Sequence, residues 1–190
     1  MIAKVNSVGT VGFNPVLIEV EVSIDSSGFP AFSIVGLPDK AVEESKERVR
    51  AAIKNSSANF PNRRITVNLA PADLPKEGPS FDLPIALGIL LASGQLISDI
   101  SSSIFIGEIS LDGKLRSTKG VLPAAILAKE KGYKKMFVPT DNSSEACVVG
   151  NVSVYPVSTL KNLFLHLIGQ EKIEEAEKID LNDLLEESEA

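Results

Sequence analysis

From Phe81 to Ala92 the chain reads FDLPIALGILLA, and a helix built on it has almost no polar face. A helix apolar on nearly all sides must be covered on nearly all sides, so this one belongs at the centre of a layered domain. Pro84 is tolerated only in a first turn, which puts the helix start near Ser80 or Asp82, both natural N-caps. The strongly apolar part, Leu83 to Ala92, falls well short of the roughly 20 residues a membrane span takes.

Around this helix the periodicity changes. Ile18, Val20, Val22 and Ile24 alternate with Glu19, Glu21, Ser23 and Asp25, which predicts a half-exposed strand over Val16–Asp25, the first strand in this reading. Ala31–Val35 reads as a second strand. Asp39–Asn55 reads as one helix, with Val42, Val49, Ala52 and Ile53 on a common face, acidic residues early and basic residues late. Arg64–Leu69 alternates again. Asp112-Gly113, set between Ile104–Leu111 and Lys114–Thr118, predicts a two-residue hairpin. A helix over Val121–Lys131 stops at Gly132, strands follow at Lys135–Pro139 and Val152–Val157, and Ser158 caps a last helix carrying Leu160, Leu163, Phe164, Leu167 and Ile168. This order predicts a mixed α/β (α+β) layered domain whose antiparallel portion comes first.

With no Trp and 5% aromatic residues, the core must be built from Val, Ile, Leu and Ala. One cysteine, Cys147, and one histidine, His166, leave no intrachain disulfide and no Cys/His zinc site. His166 precedes core-type Leu167 and reads as incidental. The net charge of −6 is unevenly held: residues 171–190 carry nine acidic and two basic side chains, and the rest of the chain is close to neutral. That split predicts a domain over 1–170 and an acidic linker over 171–190, with nothing in the linker's pattern to fasten it to the core. The first residues, MIAKVNSVGT, lack a secretory pattern, so a soluble, cytoplasmic protein is expected.

Nucleotide hydrolysis by a P-loop needs a glycine-rich cradle ending in Gly-Lys-Ser/Thr; here Gly113-Lys114 is followed by Leu115, and no G-x-G-x-x-G occurs either. The chain is therefore not expected to hydrolyse ATP.

Three stretches carry recognition: FSIVGLPD at 32–39 running into AVEESKERVRAAI; RRITVNLAPADLPKEG at 63–78 followed by FDLPIALGIL; and IGEISLDG at 106–113. Together they resemble the N-terminal domain of the ComM/YifB proteins, often labelled magnesium-chelatase-related AAA+ proteins. The resemblance covers residues 1–170. It implies the layered fold of the Lon protease C-terminal domain, of ribosomal S5 domain 2 and of the RadA C-terminal region. It also implies that an AAA+ module holding ATP and Mg follows the linker, that the whole protein is a ring, a hexamer, and that such rings drive DNA branch migration during natural transformation. No membrane partner is implied. Porphyrin metallation would need His or clustered carboxylate ligands, which the body does not offer.

Glu77-Gly78-Pro79-Ser80 is similar to the turn that carries the nucleophilic serine of Lon-type peptidases. There a lysine on the helix after the Gly-Glu-Ile hairpin takes the serine proton, and a serine hydroxyl is a weak nucleophile without such a base. In register that lysine falls on Leu122; Lys119 precedes the helix and Lys129 lies about two turns further on. The resemblance thus implies no catalytic residue and a vestigial Ser80, which, with Asp82, would cap the central helix.

What remains is a binding and assembly domain. Candidate DNA-contacting cations are Arg63, Arg64, Lys76, Lys114, Arg116 and Lys119, since phosphate neutralisation needs position rather than a particular side chain. No aromatic series is interleaved with them, so contact should be sequence-independent and salt-sensitive. The alternatives are a purely protein–protein interaction domain, using the apolar loops Phe32–Pro38 and Ala70–Pro75, and a residual Ser-Lys peptidase.

Overall fold

The computed structural model describes residues 1–189. The chain opens with a strand that the periodicity did not predict. β1 (Ile2–Val11) pairs antiparallel with β2 (Asn14–Asp25), from Val11 opposite Asn14 to Ile2 opposite Ser23, across the two-residue turn Gly12-Phe13. Its signature is hidden because Val5 and Val8 enter two different apolar clusters and Ser7, between them, is fully buried. The Ser7 hydroxyl is satisfied by donating to the Phe105 carbonyl at 2.7 Å.

β2 pairs antiparallel with β4 (Arg64–Ala70), and β4 pairs parallel with β3 (Ala31–Val35). On the other side, β1 is followed in parallel by β5 (Ser103–Phe105), β8 (Lys135–Pro139) and β9 (Ser153–Val157), giving the order β3-β4-β2-β1-β5-β8-β9. The sheet is thus mixed and mostly parallel, with its antiparallel pairs near the start of the chain, as predicted.

The two halves of the sheet are buried differently. Ile18, Val20, Val22, Ile24, Ile65, Val67 and Leu69 face α2 (Ser45–Asn55) and α3 (Asp82–Ala92) in the larger cluster. On the back of β2 and β4 Glu19, Glu21, Ser23, Thr66 and Asn68 are polar and half-buried, and the Asn68 side-chain amide donates to Glu21. β5 and β8 are covered on both faces. Met136 and Val138 meet α4 (Val121–Glu130) and α5 (Ser143–Cys147), while Phe137 stacks between Phe105 and Tyr155 at 4.8 and 4.9 Å on the side of α6 (Leu160–Leu167).

The central helix is buried all round, as its sequence requires. Ten of its residues are buried, and Gly88 lets it lie directly on the sheet: a Cβ there would meet Val22 Cγ2 at 2.5 Å. Its cap differs from expectation. A 3-10 turn, Pro79–Phe81, leads in, Phe81 is the capping residue with no side-chain bond, and Asp82 turns away from its own helix.

The predicted helix over Asp39–Asn55 is two: α1 (Lys40–Glu43), capped by Asp39 through Val42 N–H at 2.8 Å, and α2. The Asp112-Gly113 hairpin is shorter in its strands and longer in its loop. Only β6 (Glu108–Ile109) and β7 (Leu115–Arg116) pair, around a Ser110–Lys114 connection held by Asp112. α6 is capped by Thr159 rather than Ser158.

The acidic segment does dock. Ile173 is buried and its N–H donates to His166 Nδ1 at 2.9 Å; Ala176 N–H donates to the Val154 carbonyl of β9 at 2.8 Å; Ala176 and Ile179 pack against the second cluster. His166, read from sequence as incidental, is therefore the acceptor that fastens this segment. Further on, α7 (Leu181–Glu189) leaves Leu181 and Leu185 exposed.

Candidate functional site

Three chain segments meet around Ser80. The loop after β3 reaches Asp39, whose carboxylate accepts from Val42 N–H and from Gly78 N–H at 3.2 Å, while its own N–H donates to the Lys76 carbonyl. Gly78 has φ +81°, a conformation that a side chain would strain, and this lets the chain turn sharply into Pro79-Ser80. From the other side, Gly107 N–H donates to the Ser80 carbonyl and Leu83 N–H to the Gly107 carbonyl, both at 3.0 Å. The Ser80 turn is thus pinned at both flanks by backbone bonds.

These segments enclose a cavity of about 520 Å³. Ser80, Asp39, Glu77 and Glu108 line it, and so do Thr118 and Lys119 from the chain entering α4. Leu122, the position that register gives to a catalytic lysine, does not line it; it sits in the first turn of α4, 38% exposed. The amine that shares the cavity with Ser80 is Lys119. Lys119 stands three residues ahead of the register position Leu122, just before Gly120, which at φ +82° precedes the first turn of the helix. Among the described residues, no hydrogen bond joins Ser80 Oγ to Lys119 or to any other group. The sequence reading also passed over Asp39, Glu108 and Thr118. The Asp following Leu-Pro and the Glu of Gly-Glu-Ile were visible in the motifs, whereas only the fold brings Thr118 to the cavity.

Behind the cavity lies a polar clamp. Asp82 is completely buried and accepts four bonds: from Ser45 Oγ at 2.5 Å, Arg48 Nε at 2.7 Å, Arg48 Nη2 at 3.1 Å and Ile109 N–H at 3.1 Å. Arg48 also donates to the Ala41 carbonyl. Burial pushes the Asp82 carboxyl up, with Arg48, Ser45 and Ile109 pulling against it, and the Asp82 hydrogen bond raises Arg48 above its ordinary value. The clamp joins α2, α3 and β6 and so holds the wall that carries Glu108.

The candidate DNA-contacting cations divide. Lys76 is buried, 2% exposed, with Nζ donating to the Pro71 carbonyl; burial pushes its pKa down, and a phosphate could not reach it. It is removed from the set because β-bridging of its backbone to Pro38 folds the side chain inward. Arg63, Arg64, Lys114, Arg116 and Lys119 are exposed. They do not form one group: Lys119 borders the Ser80 cavity, Lys114 lies 3.8 Å from Asp112, Arg116 pairs in register with Glu108, Arg64 opens β4 and Arg63 immediately precedes it. The two apolar loops do come together. Lys76 N–H donates to the Leu37 carbonyl, and Val35 and Leu37 stand 46% and 54% exposed, Leu37 at φ +56°.

Among the described residues, no three His, Cys, Asp or Glu side chains come together to hold a metal ion, and no helix is long and apolar enough to cross a membrane. The family model described as subunit ChlI of Mg-chelatase matches residues 18–142. The chain is 45% identical over 179 residues to competence protein ComM of Haemophilus influenzae, covering 94% of this chain and 35% of that protein. To YifB of Escherichia coli it is 38% identical over 177 residues, with 93% and 35% covered. It thus spans about a third of the length of these curated relatives. To Lon protease 2 of Bacillus subtilis it is 28% identical over 141 residues, covering 66% of this chain and 25% of that protein.

Proposed function

Because the chain belongs to the Mg-chelatase ChlI-related family, with ComM and YifB among its relatives, we propose that it is the non-catalytic accessory domain of a ComM-like AAA+ motor, supporting ring assembly and DNA engagement in branch migration. The observation that carries this reading is the 45% identity to a competence protein over nearly the whole chain. A P-loop pattern is missing from the residues present, so they do not fit ATP and Mg, which on this reading belong to the motor module beyond the linker. The paired loops that expose Val35 and Leu37 supply apolar surface for assembly. Leu37 is held in a backbone region that costs free energy for a non-glycine residue, as is common at sites of contact. The exposed cations supply phosphate contacts that need no base readout.

The test is fluorescence anisotropy with a single-stranded oligonucleotide at low and moderate salt. The reading expects sequence-independent binding that weakens steeply with salt; a folded chain that binds nothing at low salt removes the DNA role. A second reading, a residual Ser-Lys peptidase, is favoured by one observation: Lys119 and Ser80 line the same cavity. A serine-reactive fluorophosphonate separates the two. The accessory-domain reading expects no labelling, whereas stoichiometric labelling of Ser80, abolished by Lys119→Met, would establish the peptidase.

A further inference from the structure

α2 treats its two arginines differently. Arg48 is committed to Asp82, but Arg50, two residues on, points to another side of the helix and has no carboxylate within 4.0 Å among the described residues. Its guanidinium carbon lies 5.1 Å from the centre of the Phe60 ring, and its buried Nε has no hydrogen-bond partner. Lys54 follows one helical turn later, and Arg63 arrives from the loop before β4, its carbonyl accepting from Ala31 N–H. These three cations line one cavity of about 310 Å³ whose lining contains no acidic residue. Phe32 and Phe60, their centroids 5.7 Å apart, form its apolar wall with Pro30 and Pro61. Glu47, the carboxylate one turn before Arg50, makes no ion pair within 4.0 Å with any of the three among the described residues.

Resting on the DNA-engagement reading above, we propose that this pocket is a backbone-holding subsite for single-stranded nucleic acid, with Arg50, Lys54 and Arg63 taking the phosphates and the Phe32–Phe60 wall taking the adjacent sugar or base. The physical case has three parts. Three like charges around one concavity repel each other until an anion neutralises them, so the ligand is anionic. Arg50 is pre-oriented: stacking on Phe60 fixes the plane of its donor fork, and less rotamer freedom is lost when a phosphate docks. The aromatic and proline surface beside the cations suits a nucleotide, which offers an apolar ring next to each phosphate, better than a carboxylate side chain, which offers none. The only member of this site among the candidate DNA-contacting cations named from sequence is Arg63; Arg50 and Lys54 come from α2, Phe60 from the loop after it, and Phe32 from β3.

The experiment uses a labelled oligothymidylate of about 20 nucleotides, long enough to cover a single-strand site of this kind. Lys54 and Arg63 are exposed, so the double reversal Lys54→Glu/Arg63→Glu keeps the fold, which circular dichroism checks. Expected is an affinity loss of about tenfold or more at low salt, and a log-affinity against log-salt slope shallower by about 1.4, at roughly 0.7 per single-strand phosphate contact. Arg50→Lys, which keeps the charge but removes the fork, should lose part of that affinity. Lys131→Glu/Lys161→Glu, reversing two exposed cations outside the pocket, should stay within about twofold of the parent. If the parent binds and the Lys54/Arg63 reversal binds equally well, the pocket assignment falls while DNA engagement stands. If the parent binds no oligonucleotide, both fall. If inorganic phosphate, a polyglutamate peptide or anionic vesicles bind the parent more tightly than the oligonucleotide, and the reversal abolishes that binding, the pocket belongs to another anion and the proposal is overturned.

Discussion

At the residue scale, Asp82 is the position on which most depends. Four donors converge on one buried carboxylate, so Asp82→Ala leaves a hydroxyl, a guanidinium and a backbone N–H without their partner in the interior. A urea melt should show a loss of about 3–5 kcal/mol, typical of a buried pair broken on one side. Arg48→Ala should cost a similar amount, and the double variant clearly less than the sum, because both singles remove the same coupling. His166 offers a test by pH. Burial first, then Lys135 and Lys172, push its pKa below the ordinary value, and its Nδ1 must be unprotonated to accept from Ile173. The unfolded chain therefore takes up a proton at higher pH than the folded one. The stabilising contribution is complete above the ordinary histidine pKa and is lost as pH falls from there through the lowered folded value. His166→Asn, which can keep an acceptor but does not titrate in this range, should flatten that part of the stability–pH curve relative to the parent.

At the element scale, the central helix rests on the sheet through a single missing Cβ. Gly88→Ala would raise helix propensity by about 1 kcal/mol, yet the added methyl falls 2.5 Å from Val22 Cγ2. Overpacking should win, with a net loss of about 1–3 kcal/mol in chemical denaturation, and Val22→Ala in the same chain should recover part of it by making room. The same element shows why some caps could not be read from sequence. Ser80 and Asp82 are both good N-cap residue types, but the clamp from α2 competes for Asp82 and wins, because a charge-assisted bond to Arg48 is stronger than a bond to one helix N–H. Asp39 met no such competitor for its first carboxylate oxygen, and it does cap α1.

At the scale of the whole molecule, the acidic segment closes the open side of the sheet. β9 is the last strand of the sheet, and Ala176 takes up one of its carbonyls while Ile173 fills the space beside α6. Ending the chain at Gln170 should lower stability by about 2–3 kcal/mol, the worth of burying one large aliphatic side chain, and should increase self-association measured by light scattering, since an uncovered edge invites another strand. The charges that made this segment look detached point outward, and its few apolar residues do the docking.

Local patterning was enough to place β2, β4, α4, β8, β9 and α6, and an unbroken apolar run was enough to place α3, because each is legible in its own short stretch of residues; α5 and α7 were not predicted. The motifs likewise led to Ser80 and to the exposed cations apart from Lys76. What local pattern could not contain was any burial decided by distant neighbours. β1 feeds two clusters and lost its alternation; Lys76 turns inward toward Pro71; Lys119, rather than Leu122, lines the cavity with Ser80; and Phe32 of β3 shares a pocket with Arg50, Phe60 and Arg63. Backbone periodicity is a property of neighbouring residues and survives in a one-dimensional reading. A cavity is a property of segments brought together in space, and the balance of desolvation against available partners at each of its walls is settled only when the chain has folded.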